Sequence, residues 1–433
     1  MAKRIQDYDF SYDVAKHIVY HHIKKSFWRY KVVGLENIPD DGAVIYASNH
    51  ANALIDPLTI ITSTKIQKVY MMRADLFKNR RIGKILTWMK TMPIFRVRDG
   101  LQQVRENNAA SISNAVAVAA SGVPLGIFPE ATHRTKHSLR QLTKGVFHIA
   151  LEAYRRLGDT KPVYILPIGL EYGDYFRYRS TVLLSYGKPV NVSEFVKAHP
   201  GDTEPVIMNK LKEILTEKMS ELISYLPDDD DYDASWEFVK LRAGKQDGSL
   251  TGRFARNKAA IEELRQMKRN EPDRAQTILR KADGFRKKRN EAKISSHAVV
   301  REPSFWRMMR RTFHVVCGLP FFILAAVANL PIWAVTAFVH SKIEDKAFLN
   351  TASFAIEMVL HPVIMVAGIA LLFSHLPWEI AIALSVLLYP SYIFFIDYQE
   401  YFRRWLSDWR WFSNKELQND LRDFDKMFVS SEL

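Results

Sequence analysis

Residues 42–57 read GAVIYASNHANALIDP. AVIYAS is an unbroken apolar run of the length that suits a buried strand, and PDDG (39–42) ahead of it reads as a turn. LIDPLTIITSTK (54–65) then starts a helix. His50 therefore stands just beyond a strand, and Asp56 lies in the first turns of the helix that follows. The six-residue spacing is no clean helical face, and nothing nearby suggests a metal cluster.

Working outward, the same alternation recurs. RYKVVGLENIP (29–39) precedes the stretch as a strand, and KVYMMRA (68–74) follows it. NRRIGKILTWMK (79–90) reads as a helix, MPIFRVR (92–98) as a strand and NNAASISNAVAVAASG (107–122) as a helix closed by Gly122. VPLGIFPE (123–130) is a short buried strand running into a polar loop. QLTKGVFHIALEAYRRLG is the next helix, PVYILPIGLEY and STVLLSYGKPV are further strands, and a helix lies near 205–225. Strands alternating with helices predict an α/β fold with a mostly parallel sheet flanked by helices. Ahead of it, SYDVAKHIVYHHIKKSFWRY (11–30) pairs apolar and aromatic residues with a basic face. That pattern fits either a helix docked on the core or one lying on a membrane surface.

The chain has 433 residues, enough for two or three structural units, with 48% hydrophobic residues and a net charge of +14. Nine Trp, 18 Tyr and 25 Phe point to a membrane contact. The charge implies an acidic partner such as nucleic acid, anionic lipid or an acidic protein. One cysteine, Cys317, excludes a disulfide framework and a cysteine metal cage. The polar start MAKRIQDYDFSYD lacks a signal-peptide core, so the first domain is not expected to be secreted.

Beyond LPDDDDYD (226–233) the texture changes. Residues 240–301 hold eighteen Lys/Arg against seven Asp/Glu, which accounts for most of the net charge. This stretch reads as polar helices, either a solvated insertion or a patch for anionic headgroups or an acidic acyl carrier. Three apolar stretches follow, at 315–339, 354–373 and 376–396, each near the roughly 20 residues that span a bilayer core. Glu357, His361 and Glu379 weaken the later two, since a central acidic residue costs about 2.5–3.5 kcal/mol on insertion scales. RMMRR before the first stretch and FRRW after the third put both ends on the cytoplasmic side, which asks for an even number of crossings. The simplest arrangement breaks the first stretch at NLP (329–331), so that it enters and returns, and makes a hairpin of the other two.

The chain lacks G-x-S-x-G, Walker A, G-x-G-x-x-G and H-E-x-x-H motifs, which removes the usual hydrolase, NTPase, dinucleotide and zinc-protease readings. What remains are polar residues at strand ends. An Asp bonded to one imidazole nitrogen fixes the tautomer so that the other accepts a proton, so His50 and Asp56 can form a general base without a protein nucleophile. The bland alternative is a histidine at a helix start with a capping aspartate. Arg96 and Arg98 share one side of the pleat, and paired guanidinium groups there suit a phosphate. In FPEATHR (128–134), Glu130, Thr132, His133 and Arg134 offer further polar groups. In a parallel sheet the carboxyl ends of the strands form the ligand crevice.

In this order, NH……DP, IFRVR, FPE-x-T and ILPIG resemble the four blocks of the glycerolipid acyltransferase family. HAN…DP, TKGVFHIALEA and PIGLEY…FRYRSTVLLSYGKPV are closer to its glycerol-3-phosphate/dihydroxyacetone-phosphate branch. The resemblance covers about residues 25–225, and the remainder in layout only. It implies His50 as general base, Asp56 as its orienting partner, and Arg98, assisted by Arg96, at a phosphate. It further implies that Glu130 organises the acceptor pocket with Thr132, His133 and Arg134 nearby, and that Pro167 marks the acyl-donor side. No metal or bound cofactor is implied. The donor would be acyl-CoA or acyl carrier protein, and the acceptor glycerol-3-phosphate or a lysophospholipid.

Three departures from the family pattern stand out. Five residues rather than four separate His50 from Asp56, so a bulge or tighter loop must bring the aspartate back, or Asn52 shares the task. Ala131 replaces the usual glycine after FPE. His133-Arg134 stands where many members have Arg-Ser.

The resulting expectation is an integral-membrane O-acyltransferase of phospholipid biosynthesis with its catalytic domain on the cytoplasmic side. Its parts are an amphipathic helix (1–30), an α/β domain (31–226), a basic helical insertion or linker (227–304), a transmembrane region (305–400) and a basic, aromatic tail (401–433). Acylation of lysophosphatidate or a lyso-aminolipid is the alternative within the same chemistry. A membrane-anchored scaffold is the alternative outside it. Nucleic acid is not expected as a partner, because the basic run lacks interleaved aromatics.

Overall fold

A computed structural model describes residues 4–95, 101–244, 248–300 and 303–429. It divides into two compact units, one of residues 1–223 with Asp345–Phe354, the other of Ser224–Glu344 with Ala355–Leu433.

The first unit begins with α1 (Phe10–Ser26), capped by Asp9, whose side chain accepts from Tyr12 N. It continues through β1 (Phe27–Val33), β2 (Ala43–Ser48), α2 (Ile55–Thr62), β3 (Val69–Arg73), α3 (Arg80–Trp88), β4 (Thr91–Ile94) and α4 (Leu101–Ala120). After these come β5 (Leu125–Ile127), α5 (Gly145–Leu157), β6 (Val163–Tyr172), β7 (Ser180–Tyr186), β8 (Val190–Asn191), α6 (Val192–Ala198) and α7 (Glu204–Glu221). The sheet order is β1-β7-β6-β2-β5-β3-β4, with β8 also paired to β6. All pairs are parallel except β6 with β7 and β6 with β8. The fold is thus a mostly parallel α/β sheet flanked by helices.

All six residues of β2 are buried, as a central strand covered by helices requires. Val146, Phe147 and Ile149 of α5 and Leu211 and Leu215 of α7 share one apolar cluster with Ala43, Ile45 and Ile165. Pro167 lies inside β6 without breaking it. It falls between the segment paired to β8 (Tyr164, Ile165) and the one paired to β7 (from Ile168), where no ladder N–H is needed. β4 ends at Ile94, and Arg96 and Arg98 lie outside the described residues.

The second unit holds α8 (Tyr232–Arg242), α9 (Leu250–Asn270), α10 (Pro272–Glu291), α11 (Ser296–Val299), α12 (Phe305–Lys342), most of α13 (Leu349–His375), α14 (Trp378–Ser413) and α15 (Lys415–Val429). The basic stretch has a core of its own, in which Phe238, Leu264, Ile278 and Ala282 pack with Phe424 and Phe428 of α15. Arg289 reaches Glu237 with two bonds of 2.8 and 3.0 Å inside it.

Helices α12 and α14, and the stretch Lys346–His375 that contains α13, are long and apolar enough to cross a membrane. The break expected at 329–331 is absent, because α12 runs through both Pro320 and Pro331 for 38 residues. Asn329, two positions before Pro331, is tied by its side chain to its own helix and to a neighbouring one. Its Nδ2 bonds Ala325 O at 2.8 Å in its own helix and Ser391 Oγ of α14 at 3.0 Å. An apolar segment in lipid must also satisfy its backbone internally, which favours continuing the helix over breaking it. Phe322 stacks on Tyr398 at 4.6 Å, and Trp405 Nε1 donates to Thr312 Oγ1 at 2.9 Å, so α12 and α14 are joined along their lengths.

Candidate active site

β2 delivers Asn49 and His50 at its carboxyl end. The Asn49 side chain continues the sheet by accepting from Leu170 N (2.7 Å) and donating to Leu170 O (3.0 Å). The next turn must bring Asp56 back to His50, and it does so through Ala53, whose φ of 38° is left-handed. This is the tighter loop that the additional residue demands, and a non-glycine residue there is strained. Asp56 is fully buried and saturated with donors. Its Oδ2 accepts from His50 Nδ1, Ala51 N and Asn52 N, each at 2.7 Å, and its Oδ1 from Tyr172 OH at 2.6 Å. Asn52 does not take over the aspartate's part, since its Nδ2 bonds Tyr175 O instead.

An ionised Asp56 can only accept, so a neutral His50 carries its proton on Nδ1 and leaves Nε2 as the acceptor. The ring stacks on Phe128 at 4.3 Å and its side chain is 19% exposed. Its backbone is fixed on both sides, with His50 N donating to Glu130 Oε1 (3.0 Å) and His50 O accepting from Arg134 N (2.8 Å). Phe128 and Glu130 follow β5, so the strand beside β2 in the sheet supplies both the stacking surface and the anchor.

The other Glu130 oxygen accepts from Arg140 N at 2.8 Å, so this buried carboxylate ties two loops together through their backbones. Burial raises its carboxyl above the ordinary range, opposed by the N–H bonds from Arg140 and His50. Ala131, at the expected glycine position, has φ 60°, again left-handed. Thr132 is half-buried in the same turn. Arg134 is held within the loop, its Nη1 3.4 Å from Ser138 Oγ.

His133 meets His50 edge-on, with ring centroids 5.8 Å apart, and its Nε2 bonds Asp345 Oδ2 at 2.7 Å. Phe348 also meets His133 edge-on, with ring centroids 5.3 Å apart. Asp345 caps the next turn by accepting from Ala347 N. That bond and the one from His133 hold its carboxyl below the ordinary value. The segment Asp345–Phe354, which joins two apolar helices in the chain, thus belongs to the His50 site. Leu54 N donates to Thr351 Oγ1 (3.3 Å), and Asn350 Nδ2 donates to Tyr175 O (2.6 Å).

Sequence reading missed that segment, and it also missed His137 and Glu171, a buried pair 3.3 Å apart beside Tyr175. No local motif marks Asp345 or Phe348, which arrive from more than 200 positions downstream. Of the anticipated residues, the structure brings together His50, Asp56, Glu130, Thr132, His133 and Arg134. Among the described residues, no group of three or more His, Cys, Asp or Glu could hold a metal ion.

Residues 29–171 match the family model described as Acyltransferase. The chain is 28% identical over 182 residues to the 1-acyl-sn-glycerol-3-phosphate acyltransferase of Borreliella burgdorferi, covering 41% of this chain and 65% of that protein. It is 26% identical over 193 residues to the enzyme of the same name from Bacillus subtilis, covering 44% and 87%. The match therefore spans slightly less than two thirds of the first relative. The crystal structure of the 1-acyl-sn-glycerophosphate acyltransferase from Thermotoga maritima aligns with a TM-score of 0.34 at 19% identity, over 49% of this chain and 81% of that one.

Proposed function

We propose that this chain is a membrane-bound O-acyltransferase that moves a fatty acyl group from a thioester to a free hydroxyl of a glycerol phosphate. The observation that carries the reading is the 2.7 Å bond from His50 Nδ1 to a buried Asp56 that four donors hold in place. In the proposed reaction, His50 Nε2 takes the proton of the acceptor hydroxyl as its oxygen attacks the thioester carbonyl. The tetrahedral intermediate collapses, the C–S bond breaks and the imidazolium returns the proton to the departing thiolate. Asp56 stays ionised and stabilises the imidazolium. Arg96 and Arg98 are proposed to bind the acceptor phosphate, and Glu130 to hold the His50 backbone at the acceptor pocket.

Two acceptors fit this chemistry. The motifs HAN…DP and PIGLEY support glycerol-3-phosphate, whereas the names of both relatives support 1-acylglycerol-3-phosphate, which suits at least as well. The three long apolar helices support a lipid-embedded product or acceptor. The test is purified full-length protein in lipid, given labelled glycerol-3-phosphate or lysophosphatidate with acyl-CoA or acyl carrier protein as donor. Acylation of either acceptor that is lost in His50→Ala supports the reading. Transfer that persists in His50→Ala, or no transfer with any donor, overturns it.

A further inference from the structure

Outside the His50 site, α3 is a helix without a core. None of its nine residues is buried, and Ile82, Ile85 and Trp88 point outward, with Ile85 56% exposed. Leu76, just ahead of the helix, is exposed as well. A helix this short gains little from propensity alone, and large apolar side chains on one exposed side mark an interaction surface.

Two further observations say what that surface meets. From Leu76 to Phe95 the chain has five Lys/Arg and no Asp or Glu. Lys90 is turned inward onto Ile5 O and Asp7 O, while Lys78, Arg80, Arg81 and Lys84 are exposed. Second, Trp88 joins α3 to α1, because its Nε1 donates to Ser11 Oγ at 3.0 Å and its ring meets Tyr12 edge-on at 6.4 Å. α1 docks on the unit through Tyr12, Lys16 and Ile23, yet presents Phe10, Val14 and Ile18, four residues apart, as an exposed stripe. Both readings of this amphipathic segment therefore have a face of their own.

We propose that α3 and the outward stripe of α1 form one interfacial surface that lies on an anionic bilayer. The apolar side chains enter the boundary between headgroups and acyl chains, Trp88 sits at that boundary, and the four exposed cations pair with lipid phosphates. The chain already carries three helices long enough to cross a membrane, so a bilayer is at hand, and the absence of acidic residues across this stretch matches an anionic partner. The proposal is independent of the role given to His50.

The test uses full-length protein with Cys317→Ser, carrying a polarity-sensitive fluorophore at Ile85→Cys or, as control, at Glu217→Cys on the exposed side of α7. Each is reconstituted into phosphatidylcholine bilayers with or without phosphatidylglycerol. The expected result is a blue-shifted probe at position 85, quenched by spin-labelled lipid and protected from aqueous iodide, with the control exposed. Protection should weaken without phosphatidylglycerol and in Arg80→Glu/Arg81→Glu. A position-85 probe as open to iodide as the control would overturn the proposal. So would protection that appears equally in detergent and grows with protein concentration, which would make the face a contact between two copies of this chain.

Discussion

Asp56 holds His50 Nδ1 at 2.7 Å across five intervening residues, because Ala53 turns the chain through a left-handed conformation. The same carboxylate oxygen takes the amides of Ala51 and Asn52, so the loop and the imidazole are fixed by one buried group. The consequences of removing either partner differ.

His50→Ala is expected to lower acyl transfer by about 10²–10⁴-fold, the usual contribution of a positioned general base, with little change in melting temperature. Asp56→Asn should lose a comparable share of activity and also stability. A neutral amide cannot satisfy four donors, and a buried donor left unpaired costs about 1–3 kcal/mol. Parallel kinetic and thermal measurements check the split. A Asp56→Asn protein as stable as the parent would contradict this account of the loop.

Ala53 and Ala131 both occupy left-handed backbone, where a side chain costs roughly 1–2 kcal/mol relative to the right-handed region. Glycine relieves that strain but adds freedom to the unfolded chain, so Ala131→Gly should raise stability by no more than about 1 kcal/mol. Ala131→Val should lower it. Thermal unfolding in detergent ranks the three proteins, and a valine variant more stable than the glycine variant would refute the argument.

Burial raises the Glu130 carboxyl, so the native chain binds that proton more tightly than the unfolded one. Its contribution to stability is fully present below the unfolded value of about 4.3 and falls as pH rises through the native value. Glu130→Gln should abolish that component of the pH profile. It should also reduce turnover, since an amide nitrogen would face the N–H of His50 or Arg140. A pH profile unchanged by the substitution would count against it.

Asp345→Asn removes the charged partner of His133 while leaving His50 and Asp56 in contact. Asp345 is largely exposed, so stability should change by less than about 1 kcal/mol. The expected effect is a several-fold higher KM for the acceptor with kcat nearly unchanged, and a fall in kcat alone would argue against a role in acceptor binding. Because His133 helps to hold the Asp345 carboxyl low, its contribution to stability is present above the ordinary carboxylate value and lost as pH falls through the native one.

In the helical unit, burial works to raise the Glu237 carboxyl, but Lys240 and Arg289 outweigh it and hold it below its ordinary value. Removing one partner of such a pair strands the other charge, so Glu237→Gln should destabilise by about 3–5 kcal/mol. Replacing Glu237 and Arg289 together by apolar residues should cost less. Unfolding of single and double variants tests this, and additive losses would refute it.

Much of the α/β domain was legible because strand and helix periods differ and because buried parallel strands such as AVIYAS are continuous apolar runs. The strand ends carrying His50 and FPEATHR followed directly, since a parallel sheet sets its carboxyl ends side by side. Long apolar segments likewise declared themselves, although Pro331 suggested a break where the demand for internal hydrogen bonding in lipid favours a continuous helix. The pairing of β6 with both β7 and β8, which gives Pro167 its place, had no local signal. It depends on which strands meet.

The sequence by itself therefore determined the kinds of element, their order and the residues offered at strand ends, because these depend on periodicity and on side-chain chemistry within a few positions. Only the tertiary structure decided that Ala53 closes His50 onto Asp56. It alone decided that Glu130 binds backbone amides, and that Asp345 and Phe348 join His133 from a segment more than 200 residues away. Those relationships rest on long-range packing and on the need to pair every buried polar group, and no short stretch of sequence encodes either.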